Sequence, residues 1–315
     1  MRGLGSVGAG LVCAVGLVAV GGCSRSGGGA TVDAAPKAVV VQAAAPSTSA
    51  AGDAAAGYVA DAKAYVGFDR NEYPGDSTMA AMRKSFAFVG YWLTVPPGAE
   101  FNQWQGKREL LKQQGWGFLV LANGKLDAEI LKAKKAGTAP GDLGRKDAAV
   151  AIAAAKSEGF PKRTIVFLDQ EEGGRLLDEQ AAYLLGWTEA VAASDYRPGV
   201  YASGQRTQDD PGVWIDTVED IRDRVKKGNL HEVAIFDAQD QCPPAPGCTL
   251  RTKPLSAAGE PGVIAWQYSQ SPRRPEITKS CAKTYAADGN CYAPGFAKVF
   301  LDMDAAGSAD PSGGR

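Results

Sequence analysis

The stretch TIVFLDQEEGG at residues 164–174 decides the fold, because an apolar run leads directly into three carboxylates and two glycines. A short, continuous apolar run of this kind is typical of a strand buried on both faces of a parallel sheet. Asp169 and Glu171 are two residues apart, so they project from one face if the strand persists, while Gln170 and Glu172 point to the other. Parallel α/β folds place ligands at the carboxyl ends of strands. The same acids would also suit a solvated strand end and the start of a helix, and this segment alone leaves both interpretations open.

Strand and helix patterns alternate along the chain on both sides of this segment. The spacing predicts about eight strands separated by helices, which is typical of a (β/α)8, TIM-barrel-like single domain. A doubly wound sheet is the competing architecture, but no glycine-rich phosphate loop follows any strand. The predicted strands are 65–69, 88–93, 116–122, 164–169, 197–203, 233–238, 263–268 and 299–304, and the predicted helices are 77–86, 103–114, 146–157, 176–193 and 218–227.

Closure of such a barrel would gather the strand ends around one mouth. The expected result is an acidic cleft rimmed by aromatic rings, which suits a carbohydrate because ring faces pack on sugar C–H surfaces and carboxylates accept hydroxyl hydrogen bonds. Several acids held together also drive their pKa values apart, as glycosidic cleavage requires. The residues at these predicted ends are Asp69, Trp92, Asp169, Glu171, Tyr201, Asp237, Gln239, Trp266, Gln267, Tyr268, Asp302 and Asp304.

Other classes of chemistry are disfavoured by composition. The formal net charge of −1 gives no basic face for nucleic acid. The single histidine, His231, lies at a predicted strand start and is expected on the surface, so a Ser-His-Asp triad and a histidine-ligated metal are not favoured. No zinc or EF-hand spacing occurs, and we expect no cofactor or metal. Trp116 and Trp187 are expected in the core.

The first residues follow the pattern of a lipoprotein signal peptide. Arg2 precedes the apolar stretch 11–20, which has the length of a signal-peptide core and is too short to span a bilayer. Small residues then precede Cys23, as in the lipobox of bacterial lipoproteins. We expect residues 1–22 to be a signal peptide and Cys23 to be lipidated, which would hold an exported protein on the outer face of the cytoplasmic membrane or in the cell envelope. An ordinary secretory signal with an incidental cysteine is the alternative.

The remaining chain divides by composition. Residues 23–57 consist mainly of Ala, Gly, Ser, Pro and Thr and are predicted to be a flexible linker. Residues 58–304 would form the barrel domain, and residues 305–315 a disordered tail.

Four cysteines in the last third of the chain agree with export. They stand in loop-like contexts, and three pairings can be drawn. The pairings between sequence neighbours, Cys242 with Cys248 and Cys281 with Cys291, are favoured.

Five short motifs stand at or near the predicted strand ends. They are GFD at 67–69, LDQE at 168–171, GVYAS at 199–203, AWQYS at 265–269 and LDMD at 301–304. In this order they resemble the motifs of the family 25 glycoside hydrolases, the Chalaropsis-type lysozymes. A closer resemblance is to a related group of secreted bacterial proteins of unsettled activity with a glycoside-hydrolase-like barrel.

The resemblance implies roles for the acids. Glu171 would be the proton donor, Asp169 would orient substrate or stabilise positive charge, and Asp69 and Asp302 would complete the acidic floor. Lysozymes of this family cleave peptidoglycan between its amino sugars, and an acetamido group of the substrate could replace an enzyme nucleophile. A backbone bulge at Gln170 would instead turn Glu172 inward.

The expected function is therefore carboxylate-catalysed hydrolysis of a cell-envelope glycan, peptidoglycan or a related polysaccharide. The rival hypothesis is a catalytically silent glycan-binding lipoprotein of the same fold. Two departures from the lysozyme pattern favour the rival: IFDA at 235–238 replaces a tryptophan-containing strand, and Asp304 replaces an asparagine. Phosphodiester cleavage is a third, less favoured hypothesis, since the chain has no basic cluster.

Overall fold

A computed structural model of the 315-residue chain describes residues 64–240, 246–251 and 253–315. The predicted signal peptide, the lipidation site at Cys23, the linker 23–57 and Cys242 lie outside the described residues.

Eight strands form a closed barrel, which confirms the predicted fold class. Going around the barrel, the order is β1-β10-β9-β8-β5-β4-β3-β2, while β6 and β7 form a separate hairpin between β5 and the next helix. The strands are β1 Tyr65–Asp69, β2 Phe88–Trp92, β3 Gly117–Asn123, β4 Ile165–Asp169, β5 Arg197–Ser203, β6 Thr207–Asp210, β7 Val213–Ile215, β8 Ala234–Ala238, β9 Ala265–Ser269 and β10 Asp302–Ala306.

Helices connect most of the parallel strands on the outside of this barrel. The first begins at Asp76 after Gly75 and not after Ser77 as N-cap, and the second is shorter than its predicted range of 103–114. The helices are α1 Asp76–Met82, α2 Arg108–Gln113, α3 Asp127–Lys135, α4 Pro140–Ser157, α5 Asp178–Ala192, α6 Thr217–Gly228 and the short α7 Pro275–Thr278.

The last strand departs from the repeating pattern. β10 runs antiparallel to both of its neighbours, β1 and β9, whereas the other adjacent barrel strands are parallel. Its first residue, Asp302, pairs with Asp69, the last residue of β1. Asp302 therefore reaches the mouth from the start of a strand, not from its carboxyl end as predicted.

Side chains alternate between the barrel interior and the surrounding helices, as the pleat of a strand requires. Inward positions carry Leu121, Phe236 and, at the mouth, polar groups. Outward positions form the larger apolar layer, in which aromatic rings meet edge to face, such as Phe68 with Trp116 at 5.7 Å between centroids. Trp116 and Trp187 are both buried in this layer, which confirms their predicted core position.

Gly90 on β2 shows how tightly the interior is packed at the mouth. A Cβ on Gly90 would lie 2.4 Å from the Cβ of Asp69 and 3.2 Å from Leu121. Any larger residue would displace one of these neighbours. A glycine is therefore required here for β2 to lie beside the Asp69 side chain.

A disulfide joins the two long loops that flank β9. Cys248, between β8 and β9, bonds to Cys291, between β9 and β10, with a Cα–Cα distance of 5.4 Å. The pairings predicted between sequence neighbours are therefore wrong, and Cys281 is disulfide-bonded as well. Because β8, β9 and β10 are neighbours in the barrel, their loops meet in space although the cysteines are 43 residues apart.

Residues 307–315 seal the end of the barrel opposite the mouth, so the predicted disordered tail is wrong. Ser312 is buried, and its hydroxyl accepts a hydrogen bond from the Val120 N–H at 2.9 Å. Its backbone also bonds Phe118 and Ile165 at the starts of β3 and β4. Arg108, itself buried, donates to the Gly314 carbonyl at 2.7 Å. These contacts satisfy backbone groups that would otherwise be buried without partners.

Throughout the part of the chain that the structure describes, no helix combines the length and apolar character needed to cross a membrane.

Substitution of Ser312 tests the sealing role of the last residues. In Ser312→Ala the buried Val120 N–H loses its partner, and we expect the free energy of unfolding to fall by about 1–3 kcal/mol. The matched control is Ser308→Ala in the same segment, where the serine is exposed, and its effect should stay within about 0.5 kcal/mol. Urea unfolding followed by tryptophan fluorescence measures both. Equal stability of the two variants would show that the segment does not seal the barrel.

Candidate active site

A polar cavity of 180 Å³ opens at the barrel mouth, and it brings together most of the acids predicted from the sequence. The predicted residues that line it are Asp69, Trp92, Asp169, Glu171, Tyr201, Gln267 and Asp302. Strands β1, β2 and β4 contribute their last residues, and Tyr201 lies two residues before the end of β5. The acidic cleft expected from barrel closure is therefore present.

Asp69 is held by a chain of hydrogen bonds across the barrel. The Gln267 amide donates to Asp69 Oδ2 at 2.9 Å, and its Oε1 accepts from the Tyr201 hydroxyl at 2.8 Å. Gln270 Nε2 in turn donates to the Tyr201 oxygen at 3.2 Å. This chain fixes the orientation of the carboxylate, since each member is buried or half-buried and already paired.

Asp169 and Glu171 form a pair of acids on one side of the cavity. The interaction between their carboxyl groups raises the pKa of Asp169 and lowers that of Glu171, so it favours a proton on Asp169. Asp169 is buried at the end of β4, whereas Glu171 is exposed at the rim. The pair can therefore present one protonated group and one charge to a ligand in the cavity.

Glu172 points away from this pair. Its Oε2 accepts hydrogen bonds from the Asp127 N–H at 2.7 Å and from Gln180 Nε2 at 2.6 Å. These contacts connect the loop after β4 to the starts of α3 and α5. A bulge that turned Glu172 inward is excluded, and Glu171 is the cavity residue.

Burial raises the pKa of every carboxyl group in the cluster. Loss of hydration is the largest cause for Asp69, whose pKa rises to about 6 although the contacts with Gln267 and Asp304 lower it. The same cause, followed by repulsion from Glu171, raises the pKa of Asp169 well above its usual range. Burial raises the pKa of Asp302 and that of Glu171 as well, the latter against the contact with Asp169 and the attraction of Arg274. Burial therefore favours the protonated form of each of these acids.

Asp304 lies beneath the cavity and does not line it. It is fully buried next to Asp69, and neither of its carboxyl oxygens has a hydrogen-bond donor among the described residues. Burial, followed by repulsion from Asp69 and Asp302, raises its pKa well above the usual value. Its predicted contact with substrate is wrong, because the antiparallel direction of β10 carries residue 304 deeper into the barrel than residue 302.

Three further predicted cleft residues face the outside of the barrel. Trp266 donates its indole N–H to the Gln239 carbonyl at 2.8 Å, and Tyr268 donates to the Thr249 carbonyl at 2.5 Å. Both rings are fully buried. Because Gln267 faces inward, the alternation of side chains turns Trp266 and Tyr268 away from the mouth.

Asp237 is the third of these residues. Phe236 lines the cavity, so Asp237 faces the opposite side of β8. Its carboxyl group packs on Gly204, where an added Cβ would lie 2.2 Å from Oδ1. Burial raises the pKa of Asp237 to about 8, with Glu260 as the next cause. Gln239, at the end of the same strand, donates to the Gly204 carbonyl at 2.9 Å and also lies outside the cavity.

Sequence reasoning missed the residues that loops bring to the cavity. Asn71 follows β1, and Gln270, Ser271 and Pro272 follow β9. The Ser271 N–H donates to Asp302 Oδ1 at 2.5 Å, so this loop orients an acid of the cluster. Their position directly after strands that end in predicted site residues is the signal that could have found them.

Groups suited to other chemistry lie elsewhere. His231 is on the surface, as predicted, with Nδ1 2.8 Å from Glu189 Oε2. Within residues 64–240, 246–251 and 253–315, no cluster of three or more His, Cys, Asp or Glu side chains has the arrangement to hold a metal ion.

One protein-family model matches a part of the chain that contains cavity residues. Residues 89–241 match the model of the Rv2525c-like, glycoside hydrolase-like domain. The matched residues run from β2 to β8 and include Asp169, Glu171 and Tyr201. The relationship expected from the short motifs is thereby confirmed. No curated protein matches the chain by sequence.

Several solved structures match the chain at low sequence identity. An uncharacterized B. stearothermophilus protein is 18% identical over 77% of this chain and 95% of its own, with a TM-score of 0.47. The Tat-secreted Mycobacterium tuberculosis protein Rv2525c, in complex with L-tartrate, is 11% identical over 78% and 95%, with a TM-score of 0.45. The modular Cpl-1 endolysin, complexed with a peptidoglycan analogue, is 13% identical over 66% and 52%, with a TM-score of 0.38.

The raised pKa values predict that the protein loses stability as pH rises. The folded state holds protons that the unfolded chain releases above about pH 4, so the free energy of unfolding should fall between about pH 4 and pH 8. The loss approaches about 1.4 kcal/mol per pH unit for each retained proton. Asp304→Asn removes one such proton and should flatten the profile. Urea unfolding at several pH values measures the slope.

The control for this titration is Glu232→Gln, which removes an exposed acid and should leave the slope unchanged. Parallel profiles for the wild type and Asp304→Asn would mean that Asp304 ionises normally in the folded protein.

Proposed function

We propose that the protein is an exported glycoside hydrolase acting on a cell-envelope glycan, with Glu171 as the proton donor. The observation that carries this proposal is the placement of Asp169 and Glu171 side by side in a polar cavity that Asp69 and Asp302 also line. The match to a glycoside hydrolase-like family supports the reaction class. Peptidoglycan or a related polysaccharide is the proposed substrate.

The geometry supports a division of roles among the acids. Glu171 is exposed at the rim, where it can reach a glycosidic oxygen and donate its proton as the C–O bond breaks. The contact between the two groups raises the pKa of Asp169 and lowers that of Glu171, so the proton is favoured on Asp169 in the free protein and would pass to Glu171 before cleavage. Asp169, then a carboxylate next to the sugar ring, would stabilise the positive charge that develops at the anomeric carbon. Asp69 and Asp302 form the opposite wall and would hold sugar hydroxyls.

Cleavage then needs a nucleophile at the anomeric carbon. On an N-acetylated sugar the substrate's own acetamido oxygen can attack, and water later opens the resulting ring. Asp169 would orient that acetamido group by accepting its N–H. Trp92 and Tyr201 at the cavity wall would contact the sugar ring.

A catalytically silent glycan-binding protein is the second candidate. The observation in its favour is that Asp69 is already engaged by Gln267 and Asp304. In that case the cavity would bind sugar without proton transfer.

We also propose that the protein is anchored to the membrane through a lipid on Cys23. The apolar stretch 11–20 followed by small residues supports this proposal. Rv2525c, which gives the matching family its name, is described as Tat-secreted. Metabolic labelling with a palmitate analogue tests the anchor, since the label should be lost in Cys23→Ala.

The central test of the function is Glu171→Gln in the soluble domain from about residue 56 onward, incubated with purified peptidoglycan and other envelope polysaccharides. We expect the release of reducing ends to fall by at least about 100-fold, because general acid catalysis contributes this much or more. Thermal unfolding should be unchanged, since Glu171 is exposed.

The matched control is Glu172→Gln, which changes the adjacent acid that does not line the cavity and should keep activity within about tenfold of the wild type. Full turnover in Glu171→Gln would eliminate Glu171 as the acid. Absence of turnover in the wild type, with sedimentation still showing glycan binding, would favour the silent protein.

The pH profile tests the coupling between the acids. Activity should be lost as pH rises and the Asp169–Glu171 pair releases its proton. Repulsion from Asp69 raises the pKa of Asp169, so Asp69→Asn should move the alkaline limb of kcat to lower pH. An unshifted limb, measured on the residual activity of this variant, would show that Asp69 is electrostatically independent of the pair.

A further inference from the structure

A second cavity of 450 Å³ continues from the acid cluster. It shares Asn71, Ser271 and Asp302 with the smaller cavity, so the two form one continuous cleft. Its walls come from the loop after β1, the loop after β2 and the segment before β10. A glycan bound at the acids would extend into this space with its next unit.

A buried arginine forms part of the wall of this second cavity. Arg70, next in sequence to the cluster residue Asp69, is only 7% exposed. Its Nη1 donates to the Phe300 carbonyl at 3.3 Å, and its guanidinium lies 5.1 Å from the centre of the Phe300 ring. Its Nε is buried without a hydrogen-bond partner. Burial lowers the pKa of Arg70, so the cation lies in surroundings that hydrate it poorly.

Arg70 forms its ion pair with Glu72, whose side chain can move aside. Nη2 donates to Glu72 Oε2 at 2.8 Å, yet the Glu72 side chain is 71% exposed. The ring and the carbonyl of Phe300 hold the arginine in place, whereas the carboxylate that pairs with it belongs to an exposed side chain. An ion pair with one exposed partner contributes little stability and exchanges easily for another anion.

We propose that Arg70 binds a carboxylate substituent of the glycan and that Glu72 occupies this position in the free protein. A guanidinium recognises a carboxylate with paired hydrogen bonds, and Glu72 already shows the geometry of one such contact. The substrate class is then an acidic glycan, with the acid-bearing sugar in the second cavity and the neighbouring sugar at Asp169 and Glu171. This placement of the neighbouring sugar rests on the proposed function.

The exposed ring of Phe101 adds a surface for that acid-bearing sugar. It lines the same cavity and is 62% exposed, so its face is free to pack on sugar C–H groups. Arg70 would supply selection for charge, and Phe101 would supply contact area that a neutral glycan also gains.

The test compares one disaccharide in two forms. The probe is a disaccharide of N-acetylglucosamine and N-acetylmuramic acid, and its partner is the same molecule with the carboxyl group converted to an amide. Binding is measured by calorimetry in the Glu171→Gln background, so that turnover does not interfere. We expect the acid to bind about tenfold more tightly than the amide.

Two substitutions then distinguish replacement of Glu72 by the ligand carboxylate at Arg70 from a general effect of removing one negative charge. Glu72→Ala removes the competing carboxylate and should strengthen binding of the acid about threefold to tenfold while leaving the amide unchanged. Glu100→Ala removes an acid from the wall of the same cavity, whereas the ion pair of Arg70 is with Glu72. It should change binding of the acid by less than about twofold. If both substitutions strengthened binding of the acid equally, the proposed displacement of Glu72 from Arg70 would be wrong.

Arg70→Met should reduce binding of the acid to that of the amide, and Arg70→Lys should restore only part of it because a lysine lacks the paired donors. Thermal unfolding of each variant checks folding, and Glu72→Ala keeps the test decisive if Arg70→Met does not fold. Equal binding of acid and amide by the parent and by Glu72→Ala would refute the proposal.

The two proposals fail separately. Charge-dependent binding without cleavage by the wild type would contradict hydrolysis and leave the Arg70 site standing. Cleavage by the wild type with equal binding of acid and amide would support hydrolysis and contradict the Arg70 site.

Discussion

The antiparallel pairing of β10 with β1 is the constraint on which both the barrel and its site depend. It closes the sheet, and its register places Asp302 beside Asp69 and Asp304 beside Gly67. Two aspartates of one short strand are thereby directed into the barrel next to a third. Water has little access to this interior, so the acids lower their free energy by keeping protons. The protonated state of the mouth follows from the way the barrel closes.

The two ends of the barrel serve different purposes. At the closed end, the last nine residues satisfy the backbone of β3 and β4, and Arg108 holds them through Gly314. At the mouth, buried carboxyl groups reduce stability as pH rises, which is a cost that binding sites commonly carry. The sealed end and the outer aromatic layer offset this cost, so the fold persists around an unfavourable cluster of acids.

Local patterns were sufficient to predict the strands and the acids that end them. Apolar runs such as 164–168 located the strands, and the spacing of Asp169 and Glu171 identified the inward pair. The rule of alternation also explains the errors: Trp266, Gln267 and Tyr268 are consecutive and cannot all face one cavity. Which of them faced inward depended on the register with β10, which is a long-range property. The loop residues Gln270 and Ser271, the Cys248–Cys291 bond and the packing of residues 307–315 depended on contacts between distant segments and could not be read locally.

The retention of protons by the acid cluster is the central physical claim, and a carboxyl carbon NMR titration tests it most directly. With ¹³C-labelled aspartate and glutamate, the side-chain signals of Asp69, Asp169, Asp302 and Asp304 would be followed with pH and assigned by single substitutions to asparagine. The structure predicts that Asp69 titrates near pH 6 and that the other three have pKa values well above the ordinary aspartate value. Midpoints near the ordinary aspartate value of about 4 for all four groups would contradict the account.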